Sequence, residues 1–363
     1  MGWSIYWLLI AMPVAAVLRA MGAAAPLLFF CAALAIVPLA VLIVHSTEHL
    51  AARTGPALGG LLNATFGNLP ELIISMVALR AGLLDMVRAS LIGALLANLL
   101  LALGIAFLLG GLRYHVQEYN PVGARSYAST MLLAALSMVV PGTFHRFLGD
   151  EAPRHAMALD LGVALVMLAA YALYLVFMLR TNPDAFAATQ AAEVEHGPGW
   201  SMTRAVGTLV LASLGAAWMS EILVGAAEAT GHALGMSPLF IGIVLLAVVG
   251  GAAESGAAIA MARKNQMDLA VGIAMGSCIQ IALFVTPILV LSSLLVAPER
   301  LTLGFSRLEI GALFFGVLIG GHIAGDGRSN WYKGVQLVAF YLVLATTFYL
   351  IPPVSAGRFG RSP

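Results

Sequence analysis

Glu71 and Glu254 each lie in the middle of a long apolar stretch. An ionised carboxylate at membrane depth is costly unless it is paired, protonated or turned towards a cavity. Around Glu71 the run Asn63-Ala64-Thr65-Phe66-Gly67-Asn68-Leu69-Pro70-Glu71 joins helix-disrupting residues to the acid. Pro70 has no N–H to bond the carbonyl of Phe66, and Gly67 eases unwinding, so free carbonyl oxygens are expected one turn from Glu71. Asn68, three residues before Glu71, and Ser75, four after, fall on its face of the helix. The second run, Gly250-Gly251-Ala252-Ala253-Glu254-Ser255, repeats the plan with two glycines and no proline. Carboxylates, an amide and backbone carbonyls, with no sulfur or imidazole among them, suit a hard cation such as Ca²⁺, which takes about 6–8 oxygens. The candidate ligands are therefore Glu71, Glu254 and Asn68 with the backbone at Phe66, Gly67, Gly250 and Gly251. Two carboxylates close enough to share one ion cannot both stay ionised when it leaves, so the empty site is expected to take up protons as a coupled pair. Exchange of a cation for protons, by competition for the same oxygens, is the chemistry this predicts.

Other polar groups in apolar surroundings are candidates for the transport path or a proton route. Asn98, Ser277 and Gln280 lie in the helices that follow the two motifs, Ser255 adjoins Glu254, and Glu48 and Glu221 sit near predicted helix ends. The segment His45-Ser46-Thr47-Glu48-His49 also fits the H-x-x-E-H pattern of some zinc peptidases. His45 and His49, one turn apart, could share a metal, which defines an alternative of another class, an intramembrane metalloenzyme. That reading leaves the symmetric glutamates unexplained, and a protein that is not an enzyme is the expectation. Cys31 and Cys278 offer neither a disulfide framework nor metal spacing.

The elements that must hold these residues are membrane helices. Of 363 residues, 61% are hydrophobic and 10% charged, against about a quarter charged in soluble domains. A net charge of +1 without a basic run gives no sign of nucleic-acid binding. Apolar stretches long enough to cross a bilayer recur along the chain, and breaks at Gly, Pro and polar residues predict eleven helices. They run near 4–21, 25–52, 57–81, 85–110, 122–142, 155–180, 203–232, 236–264, 268–296, 305–325 and 331–351. No cationic residue precedes the first apolar segment, Trp3 to Leu18, and Arg19 follows it, so it reads as a retained helix rather than a signal peptide. Trp3, Trp7, Trp200, Trp331 and Tyr332 lie near helix ends, as interfacial anchors do. The 18 Lys and Arg residues divide evenly between the two sides, so charge does not orient the chain.

A constant offset of 183 residues matches Gly59 to Gly242, Gly67 to Gly250, Glu71 to Glu254, Arg80 to Arg263, Asp85 to Asp268 and Gly93 to Gly276. With a loop insertion allowed, Glu48 corresponds to Glu221. The expected fold is an all-α polytopic membrane protein. An extra N-terminal helix (1–24) precedes a five-helix repeat (25–180), a polar linker (181–202) with Asp184, Glu193, Glu195 and His196, a second five-helix repeat (203–351) and a tail (352–363). An odd number of spans per repeat inverts the second copy, an architecture of transporters that bind substrate at the midplane.

The stretches LGGLLNATFGNLPELIISMVALRAGLLDMVRASL and SEILVGAAEATGHALGMSPLFIGIVLLAVVGGAAES, the latter continued by AMARKNQMDLAVGIAMGSCIQIALFV, resemble the two alpha-repeats of the calcium/proton exchanger (CAX) family of the calcium/cation antiporter superfamily. The resemblance spans roughly 25–350. It implies a regulatory first helix, a cytoplasmic N-terminus, and central glutamates that exchange Ca²⁺ for H⁺, with Glu71 and Glu254 as acidic ligands and Asn68 as the asparagine of a Gly-Asn-x-x-Glu motif. It implies membrane lipid and the two ions as partners, no organic cofactor, a homo-oligomer as a further association, and a bacterial or archaeal inner membrane. Two positions depart from the family pattern: Gly251 replaces an asparagine and Ser255 a histidine. They motivate the alternative of Na⁺ coupling or broader specificity for Na⁺, K⁺ or Mn²⁺.

Overall fold

The computed structural model describes residues 3–54, 56–147, 152–186 and 199–351. Glu193, Glu195 and His196 of the expected linker, and the tail from 352, lie outside the described residues, as does the side chain of Asp184.

The chain is almost wholly helical. Helix α1 (Ala11–Ala20) is entered through a 3₁₀ segment, Trp3–Ile10, and α2 follows (Ala25–Thr54). The stretch expected as one helix at 57–81 is two: α3 (Pro56–Phe66) ends at a turn over Gly67 and Asn68, and α4 (Leu69–Arg80) begins with Pro70 in its first turn. Proline is tolerated at a helix start because its missing N–H would be unsatisfied there anyway. The long helix α5 (Leu84–Tyr114) leads through Val116–Glu118 (β1) to α6 (Pro121–Phe147) and α7 (Ala152–Val176), the last extended by a π turn over Phe177–Thr181.

The second part of the chain is again helical and again holds a broken helix pair. Helix α8 (Met202–Leu234) is followed by α9 (Pro238–Gly250) and α10 (Ala252–Arg263), which meet at Gly251 with a bend of 59°. Then come α11 (Met267–Val296), α12 (Arg307–Ala324), β2 (Arg328–Asn330) and α13 (Trp331–Leu350). Among the described residues, seven helices are long and apolar enough to cross a membrane, eight when α9 and α10 count as one span.

The expectation of an all-α chain needs one correction. β1 and β2 pair antiparallel, with Val116 opposite Asn330 and Glu118 opposite Arg328. Both strands are short connectors between helices, where three residues in register satisfy backbone groups that no helix reaches. This ribbon belongs to a bolted face of the bundle. Gln117 Nε2 donates to the carbonyl of Ala262 (2.9 Å), Tyr114 Oη to that of Arg263 (3.1 Å) and Tyr119 Oη to that of Ala324 (2.8 Å), while Asp268 Oδ1 accepts from the Asn120 N–H (2.6 Å). The ends of α5, α10 and α12 and the starts of α6, α11 and α13 thus share one face. The end of α2 and the start of α8 belong together as well, since Arg53 donates to the Gly199 carbonyl (3.2 Å), His49 stacks on Trp200 at 4.8 Å and Arg204 lies over the same indole at 4.5 Å. Phe186, just after α7, packs on Tyr127 near the start of α6 and ties that end to the same side, the linker face. At the far face Arg88 reaches the Thr302 carbonyl (3.2 Å) and Ser237 Oγ donates to that of Phe348 (3.2 Å).

Candidate functional site

Both glutamates occupy the first turn of a helix that starts inside the bundle, Glu71 in α4 and Glu254 in α10. The partial positive charge at such an N-terminus favours a carboxylate. The preceding half-helices, α3 and α9, end at the same breaks, so their last carbonyls and partial negative charge favour a cation there. Phe66 ends α3 and Gly250 ends α9.

The breaks also allow close approach. A Cβ at Gly250 would lie 3.1 Å from Glu71 Cγ, and one at Gly251 would lie 3.1 Å from Asn98 Oδ1 and 3.7 Å from Glu71 Oε1. Glu71 and Asn98 are therefore packed directly against the Gly250–Gly251 bend that leads into Glu254. On the other side of the site Asn68 Nδ2 donates to Gln280 Oε1 at 2.5 Å, and a Cβ at Gly67 would stand 3.3 Å from the same oxygen. Asn98 falls in a π turn of α5 (Ala97–Ala102), and Gln280 directly precedes one in α11 (Ile281–Val285). Such turns recur at functional sites.

The buried polar atoms at this point are left without protein partners. Both carboxylate oxygens of Glu71, both of Glu254, Asn68 Oδ1 and Asn98 Oδ1 and Nδ2 are buried and unbonded. Buried polar groups in folded proteins are almost always satisfied. Carboxylate and amide oxygens grouped in this way are of the kind that hard cations take as ligands.

Two cavities flank the pair. One, of about 120 Å³, holds Glu254, Asn68, Gln280 and Ser277 and reaches Glu48 and Asn63. Its outer residues lie near the linker-face ends of α2, α7 and α11. The other, of about 10 Å³, holds Glu71, Ser75, Ser90 and Leu246 towards the far face, with Ser75 Oγ and Ser90 Oγ 3.5 Å apart. The second is scarcely large enough for a water molecule.

Of the residues singled out from sequence, Glu71, Glu254, Asn68, Gly67, Gly250, Gly251, Asn98 and Gln280 converge on the site, and Ser75, Ser277 and Glu48 line the flanking cavities. Ser255 is half-buried, its N–H donating to the Gly251 carbonyl within α10. Glu221 is exposed on α8 and lines neither cavity. Tyr6 Oη is 3.3 Å from His45 Nδ1, and His49 stacks on Trp200. Among the described residues no group of three or more His, Cys, Asp or Glu side chains is placed to hold a metal ion. Tyr127, Tyr171, Tyr174 and Met178 also line the larger cavity. In α6 and α7 they carry no motif and look like packing residues, so sequence reasoning passed over them.

Two interrupted helices with a buried acid at each break, set among membrane-length helices, are the architecture of a multi-pass membrane transporter. The chain belongs to the sodium/calcium exchanger protein family, whose model matches residues 24–180 and 204–350, and within it to the calcium/proton exchanger branch. It is 41% identical over 319 residues to the Ca²⁺/H⁺ antiporter ChaA of Bacillus subtilis, covering 87% of this chain and 90% of that one. It is 37% identical over 343 residues to a Ca²⁺/H⁺ antiporter of Aphanothece halophytica, covering 90% and 91%. The solved structure of native YfkE superposes with a TM-score of 0.81 at 37% identity, covering 96% of this chain and all of that one. The H⁺/Ca²⁺ exchanger CAX shares the fold, with a TM-score of 0.70 at 16% identity, covering 96% and 91%. The chain is accordingly an integral, multi-pass membrane protein.

Proposed function

We propose that this chain is a secondary active antiporter that moves Ca²⁺ out of the cytoplasm in exchange for H⁺, with Glu71 and Glu254 binding either Ca²⁺ or protons. The observation that carries this reading is the set of six buried, unpartnered oxygens on Glu71, Glu254, Asn68 and Asn98, which matches the lower end of calcium coordination. Two carboxylates neutralise one Ca²⁺, and protons neutralise them when it leaves, so each occupied form can cross between states without an exposed charge in lipid. The antiport named for the relatives at 37% and 41% identity agrees with this. Eleven spans, an extra N-terminal helix and two inverted five-helix repeats over 25–180 and 203–351 complete the proposal. It requires no organic cofactor and no covalent step.

The test is uptake of radiolabelled calcium into proteoliposomes under an imposed pH gradient, with and without a sodium gradient. Proton-driven uptake that is lost in Glu71→Gln and Glu254→Gln supports the reading. Uptake driven only by sodium would keep the site and overturn the coupling ion. Calcium affinity that does not change with pH would overturn the competition.

A further inference from the structure

The two halves match at an offset of 183 residues, yet matched helices are packed differently. In the far-face seal Gly93 of α5 meets α9 so closely that a Cβ would lie 2.2 Å from the Ile243 carbonyl oxygen, and one at Gly242 would lie 2.5 Å from Ala89 Cβ. The offset turns this pair of helices into α11 and α3: Gly93 becomes Gly276, Ala89 becomes Gly272, Gly242 becomes Gly59 and Ile243 becomes Gly60. There, among the described residues, nothing approaches within 4 Å of a Cβ at Gly276. Gly272 and Gly276 of α11, with Asn63 and Gly67 of the α3 end, line the larger cavity instead. The cavities correspond in the same way, since Glu71, Ser90 and Leu246 of the small one become Glu254, Ile273 and Asn63 of the large one.

We propose that Gly276 is a docking seat for α3 in the opposite-facing state: α3 closes on α11 across Gly276 and Gly60, reproducing the Gly93–Ile243 contact, as α9 lifts from α5. A glycine at which a Cβ would meet none of the described residues in one state, and which admits backbone contact in the other, is selected by the second state, because a side chain there would overpack the closed form. Glycine at both matched positions is what a seal that alternates between two faces requires. This inference rests on the alternating-access reading above, but its test reads conformation rather than ion flux.

The experiment uses the full chain, reconstituted, with Cys31 and Cys278 replaced by alanine. Single reporter cysteines are placed at matched cavity positions, Ile74→Cys for the far face and Ala257→Cys for the linker face. A membrane-impermeant maleimide is applied from each side. The parent labels at both reporters as it cycles. Because a Cβ at 276 meets none of the described residues in the present state, Gly276→Val keeps labelling at Ala257→Cys and lowers labelling at Ile74→Cys by about tenfold or more. Gly93→Val does the reverse. Gly276→Ala, with one methyl, gives a smaller drop in the same direction. Labelling of Ile74→Cys at the parent rate in both Gly276 variants would overturn the proposal. Failure of calcium–proton coupling in the parent would leave these labelling results unchanged, so the two readings fail separately.

Discussion

Replacing Gln280 with leucine tests how the site is pre-organised. Asn68 Nδ2 donates to Gln280 Oε1 at 2.5 Å in a buried setting, and Asn68 Oδ1 is left unpartnered on the other side of the same amide. The bond therefore does two things: it satisfies the amide's N–H and aims its oxygen into the site. In Gln280→Leu the amide is free to turn, and a buried donor loses its partner. Leaving one such group unsatisfied costs about 1–3 kcal/mol. If that cost falls on the ion-bound form, the affinity for calcium drops about 5- to 150-fold. The assay is equilibrium binding of radiolabelled calcium to purified protein at fixed pH, for Gln280→Leu, Asn68→Ala and the double variant. Gln280 acts through Asn68, so the second substitution should add nothing once the first is present. Unchanged affinity in Gln280→Leu, or fully additive losses in the double variant, would refute the argument.

Gly250→Ala puts a methyl 3.1 Å from Glu71 Cγ; it should displace the carboxylate and weaken calcium binding about tenfold or more, read by the same assay, with a stability cost of about 1–3 kcal/mol. Ser306 and Glu309 form a reciprocal cap at the start of α12, so Ser306→Ala should cost about 1 kcal/mol in a thermal or denaturant unfolding series without changing calcium affinity. Asp326, on the linker face, is raised by partial burial, but its hydrogen bond and ion pair with Lys333 outweigh this and hold its carboxyl below the usual range. A lowered folded value stabilises above the unfolded carboxylate range and is lost as pH falls through the folded one. Asp326→Asn should therefore lower the unfolding temperature at neutral pH, with the difference closing in acid below that range; an unchanged difference there would remove the ion pair as its cause.

Legibility in the sequence follows from how unusual a residue is where it stands. A glutamate, a proline or a glycine pair inside an apolar stretch has few innocuous explanations, so Glu71, Glu254 and the breaks around them could be read directly, and the fixed offset tied the two together. The break at Gly67 and Asn68 went further than expected, separating α3 from α4 outright, because Pro70 and Gly67 interrupt the ladder on both sides of one turn. Pairings across the bundle left no such mark. Nothing local joins Asn68 to Gln280, 212 residues later, or sets Asn98 against Gly251. Glu48 and Glu221 look equivalent in the chain but differ in surroundings, one lining the larger cavity and the other exposed on α8.

That difference has a common cause with the unequal cavities. A duplicated sequence specifies two nearly equivalent packings, and one conformation realises only one of them at a time. A carboxylate on the open side meets the cavity while its counterpart does not. A Cβ at Gly276 would meet none of the described residues, while Gly93 is pressed against Ile243. On the alternating-access proposal the repeat encodes a pair of states, and the asymmetry between matched residues records which of them is occupied. On this reasoning the two glutamates are functionally alike only when averaged over the cycle. Substitution of Glu254, which lines the larger cavity, should impair binding from the linker face first, whereas substitution of Glu71 should impair release at the far face as well. Sided binding measurements on Glu254→Gln and Glu71→Gln decide this, and identical defects from both faces would show that the resting asymmetry has no part in the order of ion entry.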